Sequence, residues 1–446
     1  MQILFVIPAY APFVGGAQTF GRSMVRRLAA DGHQATVLTT NAQQADDFWQ
    51  PPPSIRAPLL RREQMDGAQI IRLPLAYPWP APYHFGLLRR ASHLLARLPL
   101  PTSWQPSILR HFTRIMPPLF DLQSELPPMV ASADWVVAID ASWDGLFVGA
   151  AQAAFAQRKP LALVPLTHTG SPAITGHFHM AHQTAAYRQA DAVIALSYPE
   201  QALLAEWGVD QDKLHCLPMG VEPVDTAAAR HCWKSVRQRY TLPERFILFL
   251  GAATYDKGAF TLVESLMGLV RQEKNVHIVY AGPQQHLLTV FMDTQPADVR
   301  AMLEDRVHLL DVVDEETKQA LLAGCTVLAL PSRVDSFGIV LLEAWQHGKP
   351  VIAADVGGPA TLVTHEKTGL LVPFDDSAAL VIAIQRIFDS PDLAARMGAA
   401  GHQMVTDQYT WDKCYDTLTS ILRLRHAPTS APRRKQNRTG KRHEHR

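Results

Sequence analysis

The chain has 446 residues, 47% of them hydrophobic and 19% charged, which is ordinary for a globular protein and argues against a disordered or fibrous chain. Its length exceeds what one hydrophobic core usually supports, so we expect two domains. No apolar run approaches the roughly 20 residues that span a bilayer. The first segment, MQILFVIPAY, predicts a strand and not a signal peptide.

Cysteine use and charge distribution narrow the expected location and partners. The cysteines lack metal-ligand spacing and suit a reducing cytoplasm; they are Cys216, Cys232, Cys325 and Cys414. The formal net charge of +1 is uneven, because nine arginines lie between residues 56 and 114 with two acids, and nine lysines or arginines lie between 423 and 446 with one glutamate. Such basic segments suit an anionic membrane surface, and no nucleic-acid partner is expected.

Apolar strands alternate with amphipathic helices, a pattern typical of parallel α/β sheets. In the first half the sequence predicts helices at 17–30 and 145–157 and strands at 3–7, 35–38, 70–72, 135–139, 161–165, 192–195 and 214–217. A stretch rich in proline and small residues at 217–230 predicts the interdomain linker. A second alternation has a helix at 259–270 and strands at 246–252, 276–281, 307–309, 327–330, 351–354 and 370–372. We therefore expect two doubly wound, Rossmann-like domains that face each other across a cleft.

The loop between the first strand and the first helix contains Gly15 and Gly16. Such loops lie at the ligand-binding edge of an open α/β sheet, and two glycines let backbone N–H groups approach a phosphate or an acceptor. The loop is not a dinucleotide fingerprint, because GGAQTFG lacks the GxGxxG spacing. A plain strand-to-helix turn is the alternative.

Asp140 and His168 each follow a predicted strand, at the carboxyl end that faces the cleft. Asp140 would either contact the acceptor or cap the next helix. His168, as a neutral imidazole, would donate to a hydroxyl group of a ligand or help to orient it, and a purely structural role is the alternative. His177, His179 and His182 lack an acidic ligand nearby and are expected to begin a helix, so we do not expect a metal site there.

Residues 83–120 combine apolar side chains with several arginines. A predicted helix there has a leucine face flanked by arginines, formed by Leu87, Leu88, Leu94, Leu95 and Leu98 with Arg89, Arg90 and Arg97. Such a helix can lie in an anionic membrane interface, in which case the acceptor would be lipid-linked. The alternative is a pair of short helices packed on their own domain, shortened by the prolines of this region.

Lys257 follows the predicted strand at 246–252 and precedes the helix at 259–270. At that strand end its ammonium group would reach into the cleft and neutralise a leaving diphosphate. An exposed surface lysine is the alternative.

The most informative segment is LPSRVDSFGIVLLEAWQHGKPV at 330–351. It places Asp335 in a loop before a predicted helix and Glu343 inside that helix. Eight helical positions span at most about 12 Å, roughly the distance from a sugar to the ribose in a nucleoside diphosphate sugar. The free N–H groups around Ser336, Phe337 and Gly338 would then bind the diphosphate, helped by the helix dipole.

In this segment two acids stand eight positions apart, with Phe337 and Gly338 between them and an alanine directly after Glu343. This arrangement resembles the C-terminal signature of retaining glycosyltransferase family 4, also called glycosyltransferase group 1. The resemblance runs from about residue 1 to about residue 425. It implies a GT-B fold in which a final helix returns to the first domain. The implied division is an acceptor-binding domain at 1–220, a nucleotide-sugar-binding domain at 221–405 and the returning helix at 406–425. The basic tail at 426–446 lies outside the resemblance, and because it lacks apolar periodicity we expect it to be disordered.

The resemblance also implies roles for individual residues. The expected catalytic residues are His168, Asp335 and Lys257. Asp140 is the expected acceptor contact because of its position at a strand end, and not because of the resemblance. The family uses basic residues and a helix dipole in place of a divalent ion, so neither a metal nor a further cofactor is expected. The expected donor-binding residues are Gly15, Gly16, Lys257, Arg333, Ser336, Phe337, Gly338, Ile339 and Glu343, with Glu343 on the ribose.

Two positions depart from the family pattern. Ala252 stands five residues before Lys257, where family members usually carry arginine. Either another cation, with Arg333 as the candidate, replaces that arginine, or activity is weak or absent. Asp335 stands where most members have glutamate, and the shorter side chain withdraws the carboxylate by about 1.5 Å, so that it would meet different sugar hydroxyls.

The sequence therefore predicts a retaining transferase that moves a hexose from a nucleoside diphosphate sugar to a hydroxyl of a glycan or lipid-linked acceptor. We expect it in cell-surface polysaccharide or glycolipid synthesis, in the cytoplasm or peripherally on the inner face of the membrane. Two alternatives stay open. One is a sugar-nucleotide epimerase or hydrolase on the same fold, and the other is a non-catalytic partner module, suggested by Ala252.

Overall fold

The computed structural model describes residues 1–51, 58–77, 81–98, 101, 104–113, 116–119, 121–272 and 274–423. The predicted basic tail at 426–446 lies outside the described residues, as does part of the segment at 83–120. No helix in the described part of the chain combines the length and the hydropathy that a bilayer crossing requires.

Strands and helices alternate along the described chain. The strands are β1 (Gln2–Val6), β2 (Gln34–Thr40), β3 (Arg62–Met65), β4 (Ala68–Leu73), β5 (Trp135–Ile139), β6 (Leu161–Val164), β7 (Ala192–Ala195), β8 (Leu214–Cys216), β9 (Ile247–Leu250), β10 (Ile278–Ala281), β11 (Val307–Leu309), β12 (Val327–Leu330), β13 (Val351–Ala354) and β14 (Gly369–Val372). The helices are α1 (Gly16–Ala30), α2 (Ala81–Arg97), α3 (Gln105–Thr113), α4 (Leu122–Ser132), α5 (Asp144–Ala156), α6 (Pro172–Thr175), α7 (Ala181–Gln189), α8 (Tyr198–Glu206), α9 (Thr226–Arg239), α10 (Ala259–Val270), α11 (His286–Asp293), α12 (Ala297–Arg306), α13 (Glu315–Gly324), α14 (Ile339–Gln346), α15 (Pro359–Leu362), α16 (Ser377–Asp389), α17 (Pro391–Gln408) and α18 (Trp411–Arg423).

The order of the strands places the ligand-binding edges. One sheet runs β3-β4-β2-β1-β5-β6-β7-β8 and the other runs β11-β10-β9-β12-β13-β14; in both, neighbouring strands are parallel except β3 and β4. The strand order reverses between β1 and β5 and between β9 and β12. Ligands bind in the crevice that such a reversal opens beyond the carboxyl ends of the strands. The predicted fold class, α/β with two Rossmann-like domains, is confirmed.

The core lies on both faces of each sheet, because the crossover helices cover both faces. Successive side chains of a strand point to opposite faces, and β1 shows this directly. Ile3 and Phe5 belong to one buried cluster, whereas Leu4 and Val6 belong to another. Such burial holds the strand ends, and therefore the loops that follow them, in fixed positions.

Two features differ from the sequence prediction. The linker predicted at 217–230 is too long, because α9 begins at Thr226, where the Asp225 side chain accepts hydrogen bonds from the N–H groups of Ala227 and Ala228. The strand β3 is absent from the prediction. It pairs antiparallel with β4 through a tight turn at Asp66 and Gly67, whose φ values are 55° and 77°.

The last described helix, α18, packs against α1 of the first domain. Arg27 on α1 donates to Asp412 at 2.9 Å and to Glu222 at 2.9 Å, and the Tyr415 hydroxyl donates to Asp31 at 2.6 Å. Trp411 is buried at the start of α18. One arginine thus joins the first helix, the segment that leaves the first domain and the C-terminal helix.

Candidate active site

Two loops meet at the point where the strand order of the second sheet reverses. The loop after β9 carries Lys257, the loop after β12 carries Asp335, and the Lys257 Nζ donates to Asp335 Oδ1 at 2.7 Å. Gly258 permits this approach, since it has a φ of +76° and any Cβ there would overlap the Pro331 carbonyl oxygen. The structure therefore brings two of the predicted catalytic residues into direct contact.

Asp335 is a charged side chain with little access to water. Its side chain is 19% exposed, and its Oδ2 has no hydrogen-bond partner among the described residues. Burial alone would raise the pKa of this carboxyl, but the charge and hydrogen bond of Lys257 outweigh burial and hold the pKa below its usual value. A carboxylate with one unpaired oxygen is well suited to accept hydrogen bonds from sugar hydroxyls.

The helix α14 begins next to Asp335 with an uncapped N-terminus. Gly338 precedes the helix with a φ of +96°, and no side chain caps it. The Leu341 N–H donates to the Gly338 carbonyl at 3.0 Å, and the N–H groups before it lack intrahelical acceptors. The Phe337 side chain anchors the loop, because it is 3% exposed and its ring lies 6.1 Å from that of Tyr409. Ser336 and Ile339 flank this start and are half-buried. The positive end of the helix dipole thus faces the loop that carries Asp335.

Glu343 lies further along α14 and is also paired with a lysine. Lys318 on α13 donates to Glu343 Oε1 at 2.7 Å and lies 3.0 Å from Glu315. The Glu343 side chain is 15% exposed. Lys318 was not predicted from the sequence, because it lies 25 residues away on another helix and carries no recognisable spacing.

Arg333, the candidate substitute for the arginine missing at Ala252, is held by its own domain. Its Nε donates to Asp256 Oδ1 at 2.8 Å, and its guanidinium carbon lies 4.6 Å from the ring centre of Phe374 and 5.4 Å from that of Tyr255. These contacts hold the guanidinium against the side chain of Asp256, the residue directly before Lys257 in the chain. Lys257, and not Arg333, is the cation paired with Asp335.

His168 comes from the first domain and reaches the same loops. Gly170, two residues later, lies so close to the Arg333 carbonyl that a Cβ there would overlap it. The imidazole stacks on Phe178 with ring centres 5.2 Å apart, and its Nδ1 has no partner in the described part of the chain. Burial, reinforced by the charge of Lys257, lowers the pKa of His168 to about 4. The ring is therefore neutral at physiological pH, as its predicted role requires.

A buried glutamate that sequence reasoning missed fixes the loop of His168. Glu200 on α8 accepts hydrogen bonds from the N–H of Thr167 at 2.5 Å and of Leu196 at 2.8 Å. The residue is fully buried, and burial raises its pKa to about 7. Because it joins the loops after β6 and β7, Glu200 positions the backbone next to His168.

The other predicted residues of the first domain lie at the carboxyl ends of β1 and β5. Gly15 directly precedes α1, and Gly16 is exposed at its first position. Asp140 accepts a hydrogen bond from the Ser142 N–H at 3.0 Å, and burial raises its pKa to about 6. Because α5 begins only at Asp144 with no side-chain cap, the alternative that Asp140 caps this helix is wrong.

A cavity of about 380 Å³ lies beside His168 and reaches the second domain at Asp256 and Val334. Its walls also include aromatic and polar side chains that were not predicted as site residues, among them Trp49, Arg89, Trp143 and His177. Trp49 follows β2 and Trp143 follows β5, so their position at strand carboxyl ends was the signal that could have identified them. Neither Phe337, Gly338 nor Glu343 lines this cavity.

The three histidines at 177, 179 and 182 make separate contacts. His177 packs edge-on against His93 at 4.2 Å between ring centres, and His179 stacks on Trp207 at 4.4 Å. His182 is buried, with its Nε2 lying 3.1 Å from Asp144. Only His182 lies in a regular α-helix. The three rings do not converge on one point, and the described residues contain no cluster of three or more metal-ligand side chains.

Two sequence families match the chain over most of its length. The family described as glycosyl transferases group 1 matches residues 235–404, and the family described as glycosyl transferase 4-like domain matches residues 15–220. The D-rhamnosyltransferase WbpZ of Pseudomonas aeruginosa is 34% identical over 204 residues, which are 45% of this chain and 48% of that protein. A GDP-mannose-dependent alpha-(1-6)-phosphatidylinositol monomannoside mannosyltransferase of Mycobacterium tuberculosis is 32% identical over 218 residues, 47% of this chain and 56% of that protein. The chain spans about half the length of the curated relatives it matches.

Solved structures share the fold across nearly the whole chain. Anabaena Alr3699/HepE, crystallised in complex with UDP and glucose, is 19% identical and has a TM-score of 0.68, with 95% of this chain and 99% of that chain covered. WaaG, a glycosyltransferase involved in lipopolysaccharide biosynthesis, is 16% identical and has a TM-score of 0.62, with coverage of 94% and 99%. At these identities the likeness concerns the two-domain fold.

Proposed function

Because the chain belongs to the group 1 glycosyltransferases of GT-B type, we propose that it is a retaining glycosyltransferase that moves a hexose from a nucleoside diphosphate sugar to a hydroxyl group. The observation that carries this proposal is the Lys257–Asp335 pair, 2.7 Å apart, beside the uncapped start of α14. A cation and a helix start suit a leaving diphosphate, and a carboxylate suits the hydroxyls of the transferred sugar.

In this mechanism the donor replaces the contacts within the Lys257–Asp335 pair. The ammonium turns to the diphosphate, and the carboxylate accepts hydrogen bonds from the sugar. The bond between the anomeric carbon and the phosphate oxygen breaks while the acceptor oxygen attacks from the same face, and the leaving phosphate takes the acceptor proton. His168, neutral and adjacent to these loops, orients the sugar or the acceptor.

The remaining residues would hold the two ends of the donor. Glu343 binds the ribose hydroxyls, with Lys318 fixing its orientation, and the N–H groups from Phe337 to Ile339 bind the diphosphate. Gly15 and Gly16 close over the diphosphate from the first domain, and Asp140 contacts the acceptor. Arg333 adds positive charge beside the diphosphate if the donor draws it away from Asp256.

We propose that the reaction needs no divalent metal ion, because Lys257 and the start of α14 supply the positive charge that the diphosphate requires. Treatment with excess EDTA should leave the transfer rate within about twofold of the untreated enzyme. A loss of activity that magnesium or manganese restores would contradict this part of the mechanism.

The proposed donor is a hexose or deoxyhexose nucleotide, since the relatives include a rhamnosyltransferase and a mannosyltransferase. The proposed acceptor is a glycan or a lipid-linked saccharide in cell-surface polysaccharide or glycolipid synthesis. The four cysteines are free thiols, which is compatible with action in the reducing cytoplasm, peripherally on the inner face of the membrane.

The test is product formation from UDP-hexoses and GDP-hexoses with and without saccharide acceptors. The proposal predicts acceptor-dependent release of the nucleoside diphosphate and a glycoside with the donor's anomeric configuration. An epimerised or hydrolysed donor without acceptor would favour the epimerase or hydrolase. Nucleotide binding without turnover of any donor would favour a non-catalytic module, the alternative suggested by Ala252 and by the engagement of Arg333 with Asp256.

A further inference from the structure

The helix α2 exposes apolar side chains that a helix packed only on its own domain would bury. Leu87 is 60% exposed, Leu94 is 65% exposed and Leu98, directly after the helix, is 48% exposed. These three positions are spaced by seven and four residues, so they lie along one line of the helix surface. The result is an apolar stripe about two to three turns long.

Two arginines lie along the same stripe. Arg90 and Arg97 are exposed, and at 100° per residue they fall with the three leucines inside about 100° of the helix circumference. These five residues, Leu87, Arg90, Leu94, Arg97 and Leu98, are called the α2 outer face below. Two more apolar side chains are exposed nearby, Trp104 directly before α3 and Ile108 within it. The Gln105 side chain at the start of α3 donates to the Ala96 carbonyl of α2 at 2.7 Å.

The opposite side of α2 forms a wall of the cavity beside His168. Arg89 and Ser92 line that cavity, and both lie roughly opposite Leu87 on the helix circumference. The cavity also has tryptophan side chains, at Trp49 and Trp143, and the neutral imidazole of His177, whose pKa burial lowers to about 4. Aromatic faces suit a sugar ring, and the charged side chains of Arg89, Asp144 and Asp256 in the same lining can hydrogen-bond to its hydroxyl groups.

We propose that the α2 outer face rests on an anionic lipid surface, and that the acceptor is therefore a saccharide carried by a lipid, whose sugar reaches the cavity on the other side of the same helix. This inference rests on the proposed transferase function. Of the two acceptor classes proposed above, a glycan and a lipid-linked saccharide, it favours the second. An α-helix is only about 10 Å across, so a surface against the outer face brings lipid headgroups next to the cavity.

The leucines and arginines of the α2 outer face favour a lipid surface over a second copy of this chain as the binding partner. Two copies meeting through this face would place like charges of Arg90 and Arg97 near one another, at a cost in repulsion. An anionic lipid surface instead accepts the leucines among its acyl chains and pairs the guanidinium groups with phosphates.

The test is flotation of the full-length protein with vesicles of phosphatidylcholine containing about one-third phosphatidylglycerol. The wild-type protein should float with these vesicles at low salt and much less with phosphatidylcholine alone. The double variant Leu87→Glu/Leu94→Glu should lower the floating fraction about tenfold. The matched control, Val312→Glu/Ile382→Glu, alters side chains that are 63% and 60% exposed in the second domain and should float like the wild type.

A wild-type protein that stays in the soluble fraction, or a double variant that floats as well as the control, would overturn the proposal and remove the reason to prefer a lipid-carried acceptor. Thermal stabilisation of each variant by UDP or GDP is measured in parallel. If no nucleotide stabilises any of these proteins, the proposed transferase function is contradicted. Flotation still shows whether the α2 outer face binds lipid. Normal stabilisation of the double variant shows that its loss of flotation does not come from misfolding.

Discussion

Each acid at the two ends of the proposed donor site is paired with a lysine, Asp335 with Lys257 and Glu343 with Lys318. Both pairs are partly buried, where removal of one partner leaves a poorly solvated charge. A donor that binds as proposed must replace these contacts with its own. The pairs therefore hold the two carboxyl groups in fixed orientations, and the two lysines remain close enough to act on the ligand.

Replacing Lys257 with alanine should reduce the transfer rate by about 10²- to 10³-fold, the usual loss when one group that stabilises developing charge is removed. The measurement is kcat for the preferred donor, with circular dichroism as a check of folding. The matched control is Lys274→Ala, because Lys274 pairs with Asp389 at 3.0 Å on the exposed surface of the same domain. Equal activity of the two variants would remove Lys257 from the mechanism.

Replacing Glu343 with alanine should abolish stabilisation by nucleoside diphosphates while leaving the protein folded. A ligand at 100 times its dissociation constant adds about 2.7 kcal/mol to the free energy of unfolding, and thermal shift measures this gain. Glu315→Ala is the control, since Glu315 also contacts Lys318 but its side chain is 71% exposed. An unchanged shift in Glu343→Ala would refute the ribose contact.

The neutral state of His168 predicts a pH dependence of stability. Burial, with the charge of Lys257, lowers the pKa of His168 from 6.5 to about 4. Between these values the unfolded chain binds a proton that the folded chain excludes, so the free energy of unfolding falls as pH falls through this window and is unaffected by this group above it. Urea denaturation should show a smaller fall from pH 6.5 to 4 in His168→Gln than in the wild type.

The exposed residue His402 provides the control for this experiment. His402→Gln should keep the wild-type pH dependence, because an exposed imidazole is hydrated in both states. An identical slope in the wild type and His168→Gln would show that His168 is not held neutral by its surroundings.

At the level of elements, strand positions were predictable because buried parallel strands are continuous apolar runs. The predicted strand at 135–139 coincides with β5, and the predicted helix at 259–270 coincides with α10. The strand β3, REQM, escaped prediction because it is a polar edge strand that depends on pairing with β4. The early start of α9 depends on a capping carboxylate that stands among linker-like residues.

A single side chain of α8, that of Glu200, holds the loop of His168 in position. Replacing it therefore tests how one element positions another. Glu200→Gln replaces one accepting oxygen with an NH₂ group and leaves one buried N–H, of Thr167 or Leu196, without an acceptor. We expect a loss of about 1–3 kcal/mol in the free energy of unfolding and a lower kcat, measured by urea denaturation and by the transfer assay.

The control for this substitution lies on the same helix. Glu206 is exposed near the end of α8, and Glu206→Gln should change neither quantity. Wild-type stability and kcat in Glu200→Gln would show that the hydrogen bonds to Thr167 and Leu196 do not position the loop.

For the whole molecule, the sequence predicted three loops as candidate site loops but not how distant loops meet. Strand ends identified the loops of Lys257 and His168, because ligand sites in open α/β sheets lie at strand carboxyl ends, whereas the loop of Asp335 was identified by the spacing of two acids around a helix start. The contact of Gly170 with Arg333 and the pairing of Lys318 with Glu343 arise from tertiary packing. Such contacts carry no local sequence signal and became visible only in the folded chain.

The central claim is that a sugar nucleotide binds at the start of α14, with its diphosphate against the N–H groups near Gly338. The most direct measurement is a crystal structure with the nucleoside diphosphate that stabilises the protein most. The account predicts ribose hydroxyls within hydrogen-bond distance of Glu343, and phosphate oxygens at the Phe337 and Gly338 N–H groups and at Lys257 Nζ. A nucleotide bound elsewhere, with the Lys257–Asp335 and Lys318–Glu343 pairs undisturbed, would contradict it.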